Sequence, residues 1–243
     1  MAGHNKWSKI KRKKAVTDAT RGQLFTKLLK EIQIAAKMGG GDISGNPRLN
    51  TAVKTAKSQS VPGDKIENAI KKGTGDLEGV DYEEITYEGY GPGGVALIIK
   101  ALSDNKNRTV AEVRFVFSRY NGSMASSNSV AYLFNEKAIF TLEKDSATEE
   151  ELMDSLLDAG AEDIALDDEN WTISAEVSDF NNVQKALEEL GKEFDGSLQF
   201  IPETTISVNA DESKSLLNLL EALDDLDDVQ SVTGNFELND SEN

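Results

Sequence analysis

The chain has 243 residues, of which 38% are hydrophobic and 28% charged, with no cysteine, one histidine and a formal charge of −17. Without cysteine there are no disulfides, thiolate zinc sites or cysteine nucleophiles, and one histidine excludes multi-histidine metal sites within a chain. No run approaches the ~18 apolar residues of a membrane span, and the basic start has no apolar stretch behind it. The expectation is a cytoplasmic protein of two or three small domains with no membrane partner.

Residues 1–17 are basic and polar, and predict a mobile arm. A helix is expected from Asp18. Leu24, Phe25, Leu28, Leu29, Ile32, Ala35 and Ala36 share one half of its wheel, Lys27, Lys30 and Lys37 share the other with Ile34 among them, and Gly39–Gly41 stop it. Pro47 opens a second helix. Pro62 and Asp64 open a third, which Gly73 is expected to end. Three amphipathic helices with short connections imply a small bundle.

From Tyr82 the pattern turns to strands alternating with helices. Ile85–Glu88 and Val95–Leu102 flank GYGPGG, the signature of a hairpin with a glycine-rich connection. A helix over 105–120 buries Val110, Val113 and Phe117, and Val130–Phe134 reads as a further strand. Strand 138–142, a helix capped by Thr148, strands 163–166 and 171–177, a helix ended by Gly191 and strand 198–201 follow, in split βαβ order. A strand, a Leu-rich helix from Asp211 to Leu226 and a strand over 229–238 close the chain.

The expected class is therefore a multidomain α+β protein, with a three-helix bundle followed by two ferredoxin-like α/β domains, one inserted into the other. Residues 1–75 form the basic arm and bundle. Residues 76–134 and 203–243 form a discontinuous middle domain, and 135–202 the acidic insert.

Charge is divided unevenly along this plan. Residues 1–72 hold 16 Lys+Arg against 5 Asp+Glu, while the other 171 hold 10 against 38. A field of that sign repels polyanions, so nucleic acid must be met by the front of the chain or by a local patch. The arm interleaves Lys6, Lys9, Lys11, Arg12, Lys13 and Lys14 with Trp7. Cations neutralise phosphates, and an indole either stacks on an unpaired base or anchors the arm to the bundle. Arg21, Lys27, Lys30 and Lys37 extend the same surface, with Arg48, Lys54, Lys57, Lys65, Lys71 and Lys72 behind them. On the helix over 105–120, Arg108, Phe115 and Arg119 fall within about 40° of one another. They make either a second nucleic-acid contact or a buried ring with carboxylate-paired arginines.

Nothing points to catalysis. His4 lies in the arm, and the chain lacks GxSxG, H-E-x-x-H and P-loop motifs. The acidic runs 167–169 and 224–228 lack EF-hand spacing and read as solvated surface, so no cofactor, metal or catalytic residue is expected. The alternatives are an adaptor whose acidic domains hold basic proteins, and a carboxylate/divalent-ion enzyme.

The opening MAGHNKWSKIKRKKAVTDATRGQLFTKLLKEI, then GNPRLNTAVKTAK, ENAIKKGTGDLEG, YEGYGPGGVALI and DNKNRTVAEVR, resemble the YebC/PmpR family. The likeness is weaker through the acidic remainder, and Arg12, Val16 and Phe115 stand where other small or polar residues are common. The resemblance implies three domains, one helical and two α/β. It also implies a bacterial, cytoplasmic regulator of gene expression rather than an enzyme. Members of that family are described as probable DNA-binding transcriptional regulators, and some, including a mitochondrial relative, act in translation on the ribosome. DNA, RNA or the ribosome is thus the expected partner.

Overall fold

The computed structural model describes residues 18–238, with side chains from residue 21. It is a mixed α+β structure with a helical region and two main sheets, and it divides into two compact units, Met1–Phe134 with Pro202–Asn243 and Asn135–Ile201.

The first unit begins with helices α1 (Asp18–Gly39), α2 (Pro47–Ser58) and α3 (Gly63–Thr74). Their apolar stripes meet in a core of Ile32, Ala35, Ala36, Leu49, Val53, Ala56, Ile66 and Ala69. Gly40, at φ +85°, ends α1 in a left-handed conformation that a side chain would strain. Asn46 ties the next turn together: its Oδ1 accepts from Leu49 N at 3.1 Å, and its Nδ2 donates to Ala35 O and Gly40 O at 2.8 Å.

Gly73 does not end α3, which continues to Thr74 and is closed by Gly75 at φ +86°. Its role is close approach. A Cβ there would lie 2.3 Å from Gln33 O and 2.8 Å from Ala36 Cβ, so the missing side chain is what lets α3 pack on α1. Gly73→Ala is expected to destabilise the unit by about 2 kcal/mol, since an overpacking cost near ~3 kcal/mol exceeds the ~1 kcal/mol gain in helix propensity. Thermal denaturation checks this, and an unchanged or higher Tm would contradict the close crossing.

Next come β1 (Glu83–Tyr90), β2 (Ala96–Ser103), α4 (Lys106–Arg119) and β3 (Ser123–Met124). β1 and β2 are antiparallel, with Tyr87 opposite Ile99, and GYGPGG supplies the turn between them. Val130–Phe134 is not a strand. Residues 131–133 form a 3-10 turn, and β4 (Phe134–Glu143) starts only at its end. The cause is Glu88 on β1, 5% exposed, whose carboxylate accepts from the backbone N–H groups of Asn128, Val130 and Ala131 at 2.6, 2.7 and 3.0 Å. Those donors are thereby unavailable to a sheet.

The second unit adds α5 (Glu149–Leu156), β5 (Ala161–Leu166), β6 (Asn170–Glu176), α6 (Phe180–Glu189) and β7 (Asp195–Pro202) to β4. The sheet order is β5-β6-β4-β7, with one core built from Phe140, Leu142, Leu152, Leu156, Trp171, Ile173, Val183 and Leu187. Trp171 satisfies its buried indole N–H on Lys144 O and Ala147 O, both at 3.1 Å.

The chain then returns to the first unit as β8 (Ile206–Val208), α7 (Ala210–Asp224), β9 (Val229–Gly234) and β10 (Phe236–Leu238). The single strand expected over 229–238 is split at Asn235. Asn235 Oδ1 accepts from Ala96 N at 2.8 Å, so β9 joins the β3-β1-β2-β9 sheet while β10 pairs in parallel with β8. Helices α4 and α7 bury Val113, Phe117, Leu216, Leu219 and Leu223 against Leu97 and Ile99.

Candidate nucleic-acid interface

Lys6, Trp7, Lys9, Lys11, Arg12, Lys13 and Lys14 lie outside the described residues. The remaining expected cations are on α1 and α4, and the structure treats them unequally.

Arg21 is exposed, with its guanidinium 5.4 Å from the Phe25 ring. Lys27 and Lys30 do not sit on a solvated face. Lys27 is half-buried, donates to Asp224 O and lies 3.8 Å from the Asp224 carboxylate. Lys30 is only 7% exposed: its Nζ lies 2.7 Å from Asp228 Oδ1, 3.0 Å from Asp227 O and 5.3 Å from the Tyr82 ring. Ile34, on the same side, is buried as well. The wheel placed these residues opposite the bundle stripe, but that side of α1 packs against the α7–β9 connection. Lys37 is exposed, pairs with Asp81 and reaches Tyr82 O at 3.3 Å.

Asp228 is the centre of this contact, and it is not solvated surface. At 2% exposure it accepts from Arg108 at 2.6 Å, Thr109 Oγ1 at 2.7 Å and Ser103 Oγ at 3.1 Å, besides Lys30. Burial opposes its ionisation, but the bonds from Arg108, Lys30 and Thr109, with the charge of Lys30, prevail and hold its carboxyl at about 2. Hydrogen bonds to Asp228 and to Asp104, the latter at 2.7 Å, keep the Arg108 guanidinium above its ordinary value. Sequence reasoning missed Asp228, Ser103 and Thr109. The available signal was Ile34, an apolar residue set among lysines.

Lys30, Arg108 and Asp228 line a cleft of about 550 Å3, whose other charged groups are Asp104, Glu112, Asp225 and Asp227. Acids prevail there, so it does not attract phosphate. Among the described residues, no group of three or more His, Asp or Glu is placed to hold a metal ion, and no helix is long and apolar enough to cross a membrane.

The exposed cations are elsewhere. On the bundle, besides Arg21 and Lys37, they include Lys54, Lys57, Lys65, Lys71 and Lys72, with Lys71 paired to Glu67 at 2.7 Å. Arg48 is spent on Glu31 and Glu84, at 2.7 and 2.5 Å. On α4, Arg119 is exposed beside Phe115, a residue 63% exposed rather than buried against a neighbouring element.

A family model described as the TACO1/YebC protein N-terminal domain matches residues 5–76, and one described as the TACO1/YebC second and third domain matches residues 82–236. The chain belongs to the TACO1/YebC family. It is 53% identical over 242 residues to a protein of Chlorobium phaeovibrioides, covering 99% of this chain and 97% of that one. It is 49% identical over 242 residues to one of Desulfosudis oleivorans, covering 99% and 98%. Both carry the name "Probable transcriptional regulatory protein". A solved structure from Aquifex aeolicus, titled a conserved hypothetical protein, superposes with a TM-score of 0.86 at 41% identity, covering 94% of this chain and 95% of that one. In TACO1/YebC terms, the expected cations from Lys6 to Lys37 fall in the N-terminal match, and Arg108 and Arg119 in the second.

Proposed function

We propose that this member of the TACO1/YebC family is a cytoplasmic, non-enzymatic regulator of gene expression that grips DNA by its phosphates through Lys6, Lys9, Lys11, Arg12, Lys13 and Lys14, with Trp7 and Arg21 beside them. The observation that carries this reading is the charge division, 16 basic against 5 acidic residues up to Lys72 and 10 against 38 beyond it. The name shared by the Chlorobium and Desulfosudis relatives supports regulation of transcription. Lys27, Lys30 and Arg108 serve the interface indirectly: they hold the acidic 224–228 segment, whose charge would otherwise repel a polyanion. Lys37 and Arg119 remain at the surface as outer contacts. The acidic unit, read as an insertion into a discontinuous α/β domain, repels polyanions and so leaves their contact to the basic front of the chain. Such contacts position a protein without reading bases.

The test is a salt series on duplex DNA, single-stranded RNA and ribosomes, with the full chain and with a chain lacking residues 2–17. The full chain is expected to bind duplex DNA with a steep salt slope that flattens on truncation. Tighter binding to ribosomes than to DNA at near-physiological salt would replace transcription with translation, and an unchanged slope on every polyanion would remove the arm from the interface.

A further inference from the structure

Beyond Lys72 the chain is strongly acidic, yet its three arginines there, Arg108, Arg114 and Arg119, all lie on the 14-residue helix α4. Arg108 is taken up by Asp104 and Asp228. Arg114 and Arg119 are exposed and have no ion pair among the described residues. Between them stands Phe115, 63% exposed. Its helical neighbours at i−4 and i+3, Ala111 and Ser118, are small, exposed and leave the ring face open, while Arg119 stands at i+4. Glu112, half-buried at i−3, is the acid nearest in the helix and lies on the Arg108 side.

We propose that α4 carries a second nucleic-acid contact, in which an unpaired base stacks on Phe115 while Arg114 and Arg119 take the flanking phosphates. An open aromatic face flanked by guanidinium groups recognises a π-face joined to an anion, which is the chemistry of a single-stranded nucleotide. An acidic protein would satisfy the arginines but gain nothing specific from the ring. The proposal rests on the nucleic-acid reading above and extends it from sequence-blind phosphate grip to a preference for opened strands.

The probes are a 12-nucleotide RNA, the DNA of the same sequence and its duplex, each titrated with the full chain over a salt series. Phe115→Ala is expected to weaken both single strands about tenfold and leave the duplex unchanged, with no shift in Tm because the ring is exposed. Phe115→Trp keeps the affinity and Phe115→Leu loses it, which separates stacking from generic apolar contact. Arg114→Gln with Arg119→Gln flattens the single-strand salt slope by about 1.4, at ~0.7 per lost phosphate contact. Equal weakening on duplex and single strand, full affinity in Phe115→Leu, or undiminished affinity in Phe115→Ala would overturn the proposal while leaving the phosphate grip standing. If the wild-type chain binds none of the probes, both readings fall.

Discussion

Replacing Asp228 with alanine is expected to cost the first unit about 3–5 kcal/mol, more than any other single carboxylate change in the described structure. Lys30 is buried, and without Asp228 its ammonium keeps only the Asp227 carbonyl and the Tyr82 ring, while Thr109 and Ser103 lose their shared acceptor. An uncompensated buried charge is what makes breaking such a pair expensive. The effect is asymmetric: Lys30→Met leaves Asp228 still bonded to Arg108, Thr109 and Ser103, and is expected to cost much less. The pH dependence follows from the depressed carboxyl. Its contribution, about 2 kcal/mol at 1.36 kcal/mol per unit, is fully present above the ordinary value of 3.8 and is lost as pH falls through about 2. Urea unfolding of wild-type and Asp228→Asn proteins should therefore diverge at neutral pH and converge on acidification. Equal stability at pH 7, or a Lys30→Met destabilisation as large as that of Asp228→Ala, would show that Asp228 is not the centre of the contact.

Glu88→Ala is expected to cost about 3 kcal/mol, because three backbone N–H groups lose a charged acceptor. Burial works against the Glu88 anion, and the backbone donors of Val130, Asn128 and Ala131 more than reverse it, leaving its carboxyl below the ordinary value. This support is present above the unfolded carboxyl's titration and disappears as pH falls through the folded one. Hydrogen exchange at Asn128, Val130 and Ala131 reports it residue by residue. Faster exchange confined to those amides is the expected result, and unchanged protection would mean that the 3-10 turn holds itself.

These two carboxylates also mark where the sequence stopped being legible. Periodicity located α1, α2 and α3, Pro47 and Pro62 announced the starts of the latter two, and the alternation at Trp171, Ile173 and Ala175 located β6. Each of those signals is local. Gly73 has the local look of a helix stop, but its reason is Gln33 O, 40 positions away, and a chain-local pattern does not distinguish a terminating glycine from one at a helix crossing. Val130–Phe134 has the apolar content of a strand, and Glu88, more than 40 positions upstream, takes its donors. The wheel put Lys27 and Lys30 on the correct side of α1, but it carried no information about Asp224 and Asp228, which lie almost 200 positions away in the chain. Long-range pairing of opposite charges turned expected phosphate ligands into a structural contact. The role proposed for the arm's cations rests on composition alone, in which only charge density and the acidity of the remaining chain enter.

The decisive experiment follows from that charge division. In the full-length protein, Lys6, Lys9, Lys11, Arg12, Lys13 and Lys14 are changed together to glutamine, and affinity for duplex DNA is measured from low to physiological salt. Removing a cation that neutralises one phosphate lowers the log–log slope by ~0.9, so the variant is expected to bind far more weakly at low salt, with a slope shallower by about five. Identical affinity and slope in the two proteins would place the polyanion contact elsewhere on the chain.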